Sequence, residues 1–281
     1  TRSNSIRILD GKIDRISDNL LSGVGIRIFS GTKTVYASTS DTSRDGLLRC
    51  AASVAAALGD TVKRENIHLT ERVFPNIHPI KICPSSAEMK IKTDLLKEGA
   101  FAAKEYSEKI SQVQGTLIDV DHSTLVANSD GLYTQNRSVR TRMAINAVAS
   151  ENGENQSGSC SPGRCMGLEV FDLFKPADIG RHAAEQAITN LGAVYCPAGQ
   201  MTVAIENGFG GVIFHEACGH SLEATSVAIG RSQMAGKLGQ QIANPKVTAI
   251  DDGTIPNAWG SINIDDEGNP SQKNVLIRNG I

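Results

Sequence analysis

The chain has 281 residues, with 28 Lys or Arg against 30 Asp or Glu, 40% apolar residues and 4% aromatics. That length supports one large or two ordinary domains with a buried core, and a net charge of −2 leaves no electrostatic footprint for nucleic acid or an anionic membrane surface. The longest mostly apolar stretch, Ala51 to Leu58, is far short of the roughly 20 residues of a membrane span. Residues 1 to 20 hold no continuous apolar segment of a secretory signal, so a cytoplasmic protein with no membrane and no direct nucleic-acid partner is expected. Six scattered cysteines, Cys50, Cys83, Cys160, Cys165, Cys196 and Cys218, read as reduced thiols and not as a disulfide framework.

In chain order, residues 5 to 9 and 12 to 16 alternate apolar and polar around Asp10-Gly11, the dipeptide of a tight hairpin turn. Gly23 to Phe29 and Thr34 to Tyr36 repeat the pattern around Ser30-Gly31. From Asp45 to Leu58 the apolar positions follow helical spacing, with Gly59 as the stop. A second helix is predicted from about Thr93 to Gln112, after a connection marked by Pro75, Pro79 and Pro84. Thr116 to Ala127, Gly131 to Arg140 and Thr141 to Ala149 read as strands of an antiparallel meander, with Asn128 to Gly131 as the first turn. The small, polar run Ser150 to Gly167 reads as a glycine-rich loop or flap. Pro176 opens an alanine-rich helix, Ala177 to Leu191, that Gly192 ends, and Met201 to Ile205 reads as a short strand.

This order lacks the regular strand-helix alternation of a doubly wound sheet. An α+β fold is predicted, mainly antiparallel sheets with hairpins and long helices. Three regions are expected: 1-84, hairpin-rich; 85-192, carrying the loop 150-167; and 193-281, holding the chemistry. Thr1 opens directly into a strand pattern and NVLIRNGI stops at an Asn-Gly turn, so the sequence reads as a piece of a longer chain.

The chemistry lies in ENGFGGVIFHEACGHSLEATSVA, from Glu206 onward. Val212 to Val227 has the length and spacing of a helix carrying His215, Glu216 and His220. Metal-dependent peptidases commonly place two histidines at i and i+4 on one helix face, with a glutamate between them. Here the spacing is i and i+5, which a regular helix would splay by about 140°. One π-bulge restores a shared face, and Gly219 is the natural place to accommodate it. Glu216 would then take a proton from an attacking water and return it to the leaving amine. Zinc also needs a third protein ligand, for which Cys218, Glu223, His182 and the other cysteines are candidates. Cys218 also reads as a small buried side chain. His68, His78 and His122 read as surface or hydrogen-bonded core residues. GRSQMAGK at Gly230 to Lys237 fails as a phosphate loop because Leu238 stands where Ser or Thr is required. NIDDEG at Asn263 to Gly268 fails as a calcium loop because its twelfth position is Asn274.

GGVIFHEACGHSLEA, together with VTAIDDGTIPNAWGSINIDDEGNPSQKNVLIRNGI, resembles the TldD branch of the TldD/PmbA family of zinc metallopeptidases, also called modulators of DNA gyrase. SIRILDGKIDRIS with GVGIRIFSG, and ENGENQSGSCSPGRCMGLE, extend the resemblance upstream. It implies that His215 and His220 bind Zn2+ and that Glu216 is the general base. It further implies that the remaining ligand is a cysteine far downstream of the motif. No cysteine follows Cys218 here, so this chain alone is expected to be inactive and to bind zinc weakly. Unstructured peptides as substrates, and a dimer with a PmbA-like paralogue or a second copy, are likewise what the resemblance implies. The alternatives are a non-catalytic binding subunit, which loss of the His-Glu-His set would favour, and a gyrase-modulating regulatory protein.

Overall fold

The computed structural model describes residues 1–59 and 66–281, and the chain divides into two compact units. The first comprises Thr1–Gly192 with Pro256–Pro270. It begins with a hairpin of β1 (Arg2–Leu9) and β2 (Lys12–Leu20). Asp10 and Gly11 turn it at φ of 46° and 76°, the left-handed pair that matches the twist of the strands. A second hairpin joins β3 (Val24–Ser30) to β4 (Lys33–Thr39). Ser30 pairs with Lys33, so the turn is Gly31-Thr32, one residue later than the sequence suggested. α1 (Arg44–Leu58) packs on this hairpin through buried Cys50 and Val54. Its N-terminus is capped by Ser43 Oγ, which accepts from Gly46 N–H, and Gly59 at φ 75° ends it, as expected of a left-handed stop.

β5 (Thr70–Glu71), α2 (Met89–Lys104), β6 (Ile110–Ala127), β7 (Leu132–Glu151), β8 (Glu154–Cys160), β9 (Gly163–Arg164), α3 (Val170–Leu173) and α4 (Pro176–Leu191) follow. The main sheet runs β2-β1-β6-β7-β5, with β8 and β9 also paired to β7. All its pairings are antiparallel except β5 with β7. This is the predicted α+β class.

α2 spans Met89–Lys104 and not Thr93 to Gln112. Beyond its end, Lys104 Nζ donates to the carbonyls of Ile110 (2.7 Å) and Ser111 (2.8 Å) at the start of β6. Ile110 reads as helical in sequence but lies on β6, where a bulge between Ile110 and Gln112 resets which residues face inward. The strands predicted at Gly131 to Arg140 and Thr141 to Ala149 form one continuous strand, β7 (Leu132–Glu151).

The segment 150–167 is a further correction: it is neither loop nor flap. Asn152 and Gly153, at φ of 52° and 87°, turn β7 back into β8. The small residues there answer a packing constraint. A Cβ on Gly158 would lie 2.3 Å from Ala183 O and 2.4 Å from Ala187 N of α4. The outer edge of β8 is also occupied, since Ser159 N–H donates to Gln186 Oε1 (2.8 Å) and Asn190 Nδ2 donates to Ser157 O (2.9 Å).

α2 and α4 bury their apolar stripes against one face of the sheet, around Leu96, Ala100 and Ala103 on one helix and Ile179, Ala183 and Ala187 on the other. The helices cross where Gly180 meets the Gly99 carbonyl; a Cβ on Gly180 would lie 1.9 Å from that oxygen. Beneath α2 a buried ion pair joins Lys92 Nζ to Asp119 Oδ2 at 2.7 Å. Burial pushes the Asp119 carboxyl up, against the opposing pull of the ammonium.

The Pro256–Pro270 segment is pinned into this unit by side-chain amides. Asn263 Oδ1 accepts from Ile77 N–H (2.9 Å), and Asn257 Nδ2 donates to Cys165 O (2.7 Å). His78 is buried and its Nδ1 accepts from Asn257 N–H, as a hydrogen-bonded core histidine should. His122 is on the surface beside Thr124. Asp265 folds its own turn by accepting from the N–H groups of Glu267 and Asn269 (2.9 Å each), which uses that carboxylate as a turn former.

The second unit comprises Ala193–Ile255 with Ser271–Ile281. It holds two short helices, α5 (Val212–Phe214) and α6 (Ala224–Ala228), with an irregular turn between them, and one hairpin of β10 (Ala249–Asp252) with β11 (Lys273–Ile277). The strand predicted at Met201 to Ile205 is not formed. Its apolar residues alternate and are exposed, but no described strand lies beside them to accept the ladder. No helix among the described residues is long and apolar enough to cross a membrane.

Gly180→Leu should lower the unfolding free energy by about 3 kcal/mol; an unchanged urea midpoint would refute the close helix approach. A second prediction concerns pH. Arg137 grips Asp121 through Nε (2.8 Å) and Nη2 (2.7 Å) and holds that carboxyl below the usual carboxylate range, chiefly by hydrogen bonding. The pair stabilises the fold above the unfolded aspartate value of about 4. That contribution is lost as pH falls through the lower folded value. Arg137→Met should therefore narrow the difference between urea midpoints at about pH 7 and about pH 3, and a difference equal to the parent's would contradict the assignment.

Candidate metal centre

The segment predicted as one helix, Val212 to Val227, is wound in three different ways. A 3-10 turn over Phe209–Gly211 leads into α5; a π turn covers His215–Gly219; a 3-10 turn covers His220–Leu222; Glu223 leaves the helix at ψ 126°, and α6 follows. The π turn falls where the i, i+5 spacing of the histidines requires it. His220 N–H donates to His215 O, the wide bond that defines such a turn.

The imidazoles of His215 and His220 come together edge to face, with centroids 4.4 Å apart and planes at 66°. One donor atom each from His215, Glu216 and His220 lie within 4.8 Å of one another. All three residues are exposed. Gly219 has ordinary helical angles of −54° and −54°, so its missing side chain serves space and not backbone freedom. A Cβ there would lie 3.3 Å from His215 Nδ1.

Of the other ligand candidates, Cys218 is half-buried in the π turn and stands outside the donor cluster. His182 lies on α4, 3.8 Å from Glu185. Glu223 takes a different position from the ligand role considered for it. Its Oε1 is 2.7 Å from His220 Nδ1, whereas Glu216 Oε2 is 3.9 Å from His220 Nε2. The Glu223 hydrogen bond holds the His220 imidazole above the ordinary histidine range, opposed by slight desolvation and reinforced by the charges of Glu223 and Glu216. The i, i+3 spacing of His220 and Glu223 was visible in the sequence. The change of winding that makes them partners was not.

The donor set suits a metal ion. Two imidazole nitrogens are donors that zinc and its neighbours accept, and the Glu216 carboxylate stands beside them, within 4.8 Å. With Nδ1 engaged by Glu223, His220 keeps Nε2 as its free donor. Two histidines flanking a glutamate on one helical segment define the candidate centre of a metal-dependent hydrolase.

Comparison with known proteins agrees. Residues 1–58, 83–191 and 198–281 match, in order, domain 1, the central domain and the C-terminal domain of the PmbA/TldA metallopeptidases. The chain belongs to the PmbA/TldD metallopeptidase family. It is 36% identical to a metalloprotease TldD homolog of Haemophilus influenzae, over 97% of this chain and 58% of that protein. It is 29% identical to a metalloprotease of Methanothermobacter thermautotrophicus, over 100% of this chain and 61% of the relative. Among solved structures it resembles a modulator of a DNA gyrase from Thermotoga maritima, with a TM-score of 0.80, 23% identity and coverage of 100% and 63%. It also resembles TldE from Thermococcus kodakarensis, with a TM-score of 0.72, 20% identity and coverage of 99% and 63%. These two likenesses show the shared fold. The chain spans about three fifths of the length of the relatives it matches.

Gly219→Val should crowd the His215 ring and weaken metal binding by about tenfold or more in a chelator-competition titration, without lowering the thermal midpoint. Unchanged affinity would show that the ring does not need this space.

Proposed function

We propose that the full-length protein is a zinc-dependent peptidase acting on unstructured peptides, with His215 and His220 as metal ligands and Glu216 as general base. The observation that carries this reading is the π turn, which spends regular helical geometry to bring two exposed imidazoles and a carboxylate within 4.8 Å. π-bulges cluster at functional sites, and nothing buried in this turn demands the distortion.

A zinc ion held there supplies Lewis-acid activation, lowering the pKa of water to about 7. Glu216, adjacent to one imidazole and 3.9 Å from the other, accepts the proton of the water that attacks the peptide carbonyl. It then delivers that proton to the departing amine. Zinc centres take three protein ligands, and the relatives are longer than this chain, so the activity is assigned to the full-length protein. A cytoplasmic location and a dimer with a PmbA-like paralogue or a second copy complete the proposal, supported by the family membership.

The test is zinc content and cleavage of an unfolded peptide by the full-length protein. His215→Ala should lose the metal and the activity. Glu216→Gln should keep the metal and lose about 10²- to 10⁴-fold in rate. Equal zinc in the parent and in His215→Ala would sink the ligand assignment, and undiminished cleavage by Glu216→Gln would remove the glutamate from its role.

A further inference from the structure

We propose that Glu223 is a positioning residue of this centre, fixing the ring orientation and tautomer of His220 so that Nε2 is the donor left for the metal. The inference rests on the metal reading above and assigns Glu223 a role distinct from that of a ligand.

Local winding places it. In a 3-10 turn the side chains at i and i+3 eclipse, and the turn over His220–Leu222 therefore stands Glu223 directly over His220. The Glu223 backbone is fixed on both sides: its N–H donates to His220 O (3.4 Å), and its carbonyl accepts from Ser226 and Val227 (3.0 Å each). The turn is tied from outside by Ser232 Oγ, which donates to Ser221 O. Glu223 occupies the N-cap position of α6, yet its side chain caps nothing. Among the described residues the hydrogen-bond partner of its carboxylate is His220 Nδ1, at 2.7 Å.

A carboxylate at Nδ1 can only accept, so the proton sits on Nδ1 and the lone pair on Nε2. Nε2 is the nitrogen turned toward Glu216, at 3.9 Å. Metal-binding histidines almost always donate their second N–H to such an outer partner, whose loss costs 10–100-fold in affinity.

The experiment uses the full-length protein as parent, Glu223→Ala, Glu223→Gln and His215→Ala. Two quantities are measured: zinc affinity by chelator competition, and the ¹⁵N shifts of the His220 ring in the metal-free protein, which report the tautomer. Glu223→Ala should bind zinc about 10–100-fold more weakly and show a mixed tautomer. Glu223→Gln, whose amide oxygen can still accept from Nδ1, should recover both. His215→Ala should lose zinc while the His220 tautomer stays as in the parent, because the Glu223 contact does not involve His215. If Glu223→Ala keeps the parent's tautomer and affinity while His215→Ala loses zinc, the positioning role is wrong and the metal reading stands. If His215→Ala binds zinc as the parent does, the metal reading falls and this assignment falls with it.

Discussion

The site depends on one hydrogen bond, from His220 N–H to His215 O. In a regular helix residues five apart point about 140° from each other, and no side-chain rotamer would bring the two imidazoles to one ion. The wide bond adds one residue to the turn and removes that divergence. The cost is local, because π geometry is rare and poorly stabilised. The chain recovers tight winding at once, in a 3-10 turn that brings Glu223 over His220. One wide turn followed by one narrow turn thus sets two contacts in succession. The first pairs the histidines and the second orients one of them.

The first unit is organised by a different constraint, the need for two helices to lie close on one sheet face. Backbone-to-backbone approach at Gly180 and Gly99, and of α4 over Gly158, admits no side chain, so the interior there is built from Ala and Gly. Larger residues fill the layer below, where Ile6, Ile8, Leu117, Met143 and Ile145 are fully buried. Small residues at helix crossings and large ones in the sheet together reach the density that protein interiors require. The sequence has only 4% aromatic residues, and aliphatic packing of this kind explains how a core forms with few of them, Phe171 among them.

These two constraints differ in how far the sequence discloses them. Local rules were legible: Asp10-Gly11 specified its left-handed turn, Gly59 ended α1, Pro176 opened α4, and the i, i+5 histidines required a π turn that the chain adopts at residues 215–219. What could not be read was whatever depends on a neighbour distant in sequence. Ser150 to Gly167 is small and polar, the composition of a loop, because the other side of β8 is the backbone of α4. Met201 to Ile205 has the alternation of a strand, but alternation specifies faces and not a partner. Ile110 suited a helix by spacing, but it begins β6, beside a bulge. At the site, the histidines and Glu216 were identifiable by motif. Glu223 was read as a candidate ligand because its relation to His220 follows from a change in helix type that composition does not announce.

Exposure of the centre follows from the same mechanics. His215, Glu216 and His220 all face solvent, so burial cannot hold their rings in place. Their order comes from the backbone: the wide bond at His220, the bonds of Glu223 to His220 and to α6, and the space above Gly219. A centre preorganised by backbone and outer partners would keep an accessible face on a bound ion, as the proposed peptidase reaction requires for water and an extended peptide. Burial would have secured the same side chains at the expense of that access. Fixing them by helix winding leaves rigidity and openness compatible, which suits the irregular segment, and not the well-packed first unit, to the proposed centre.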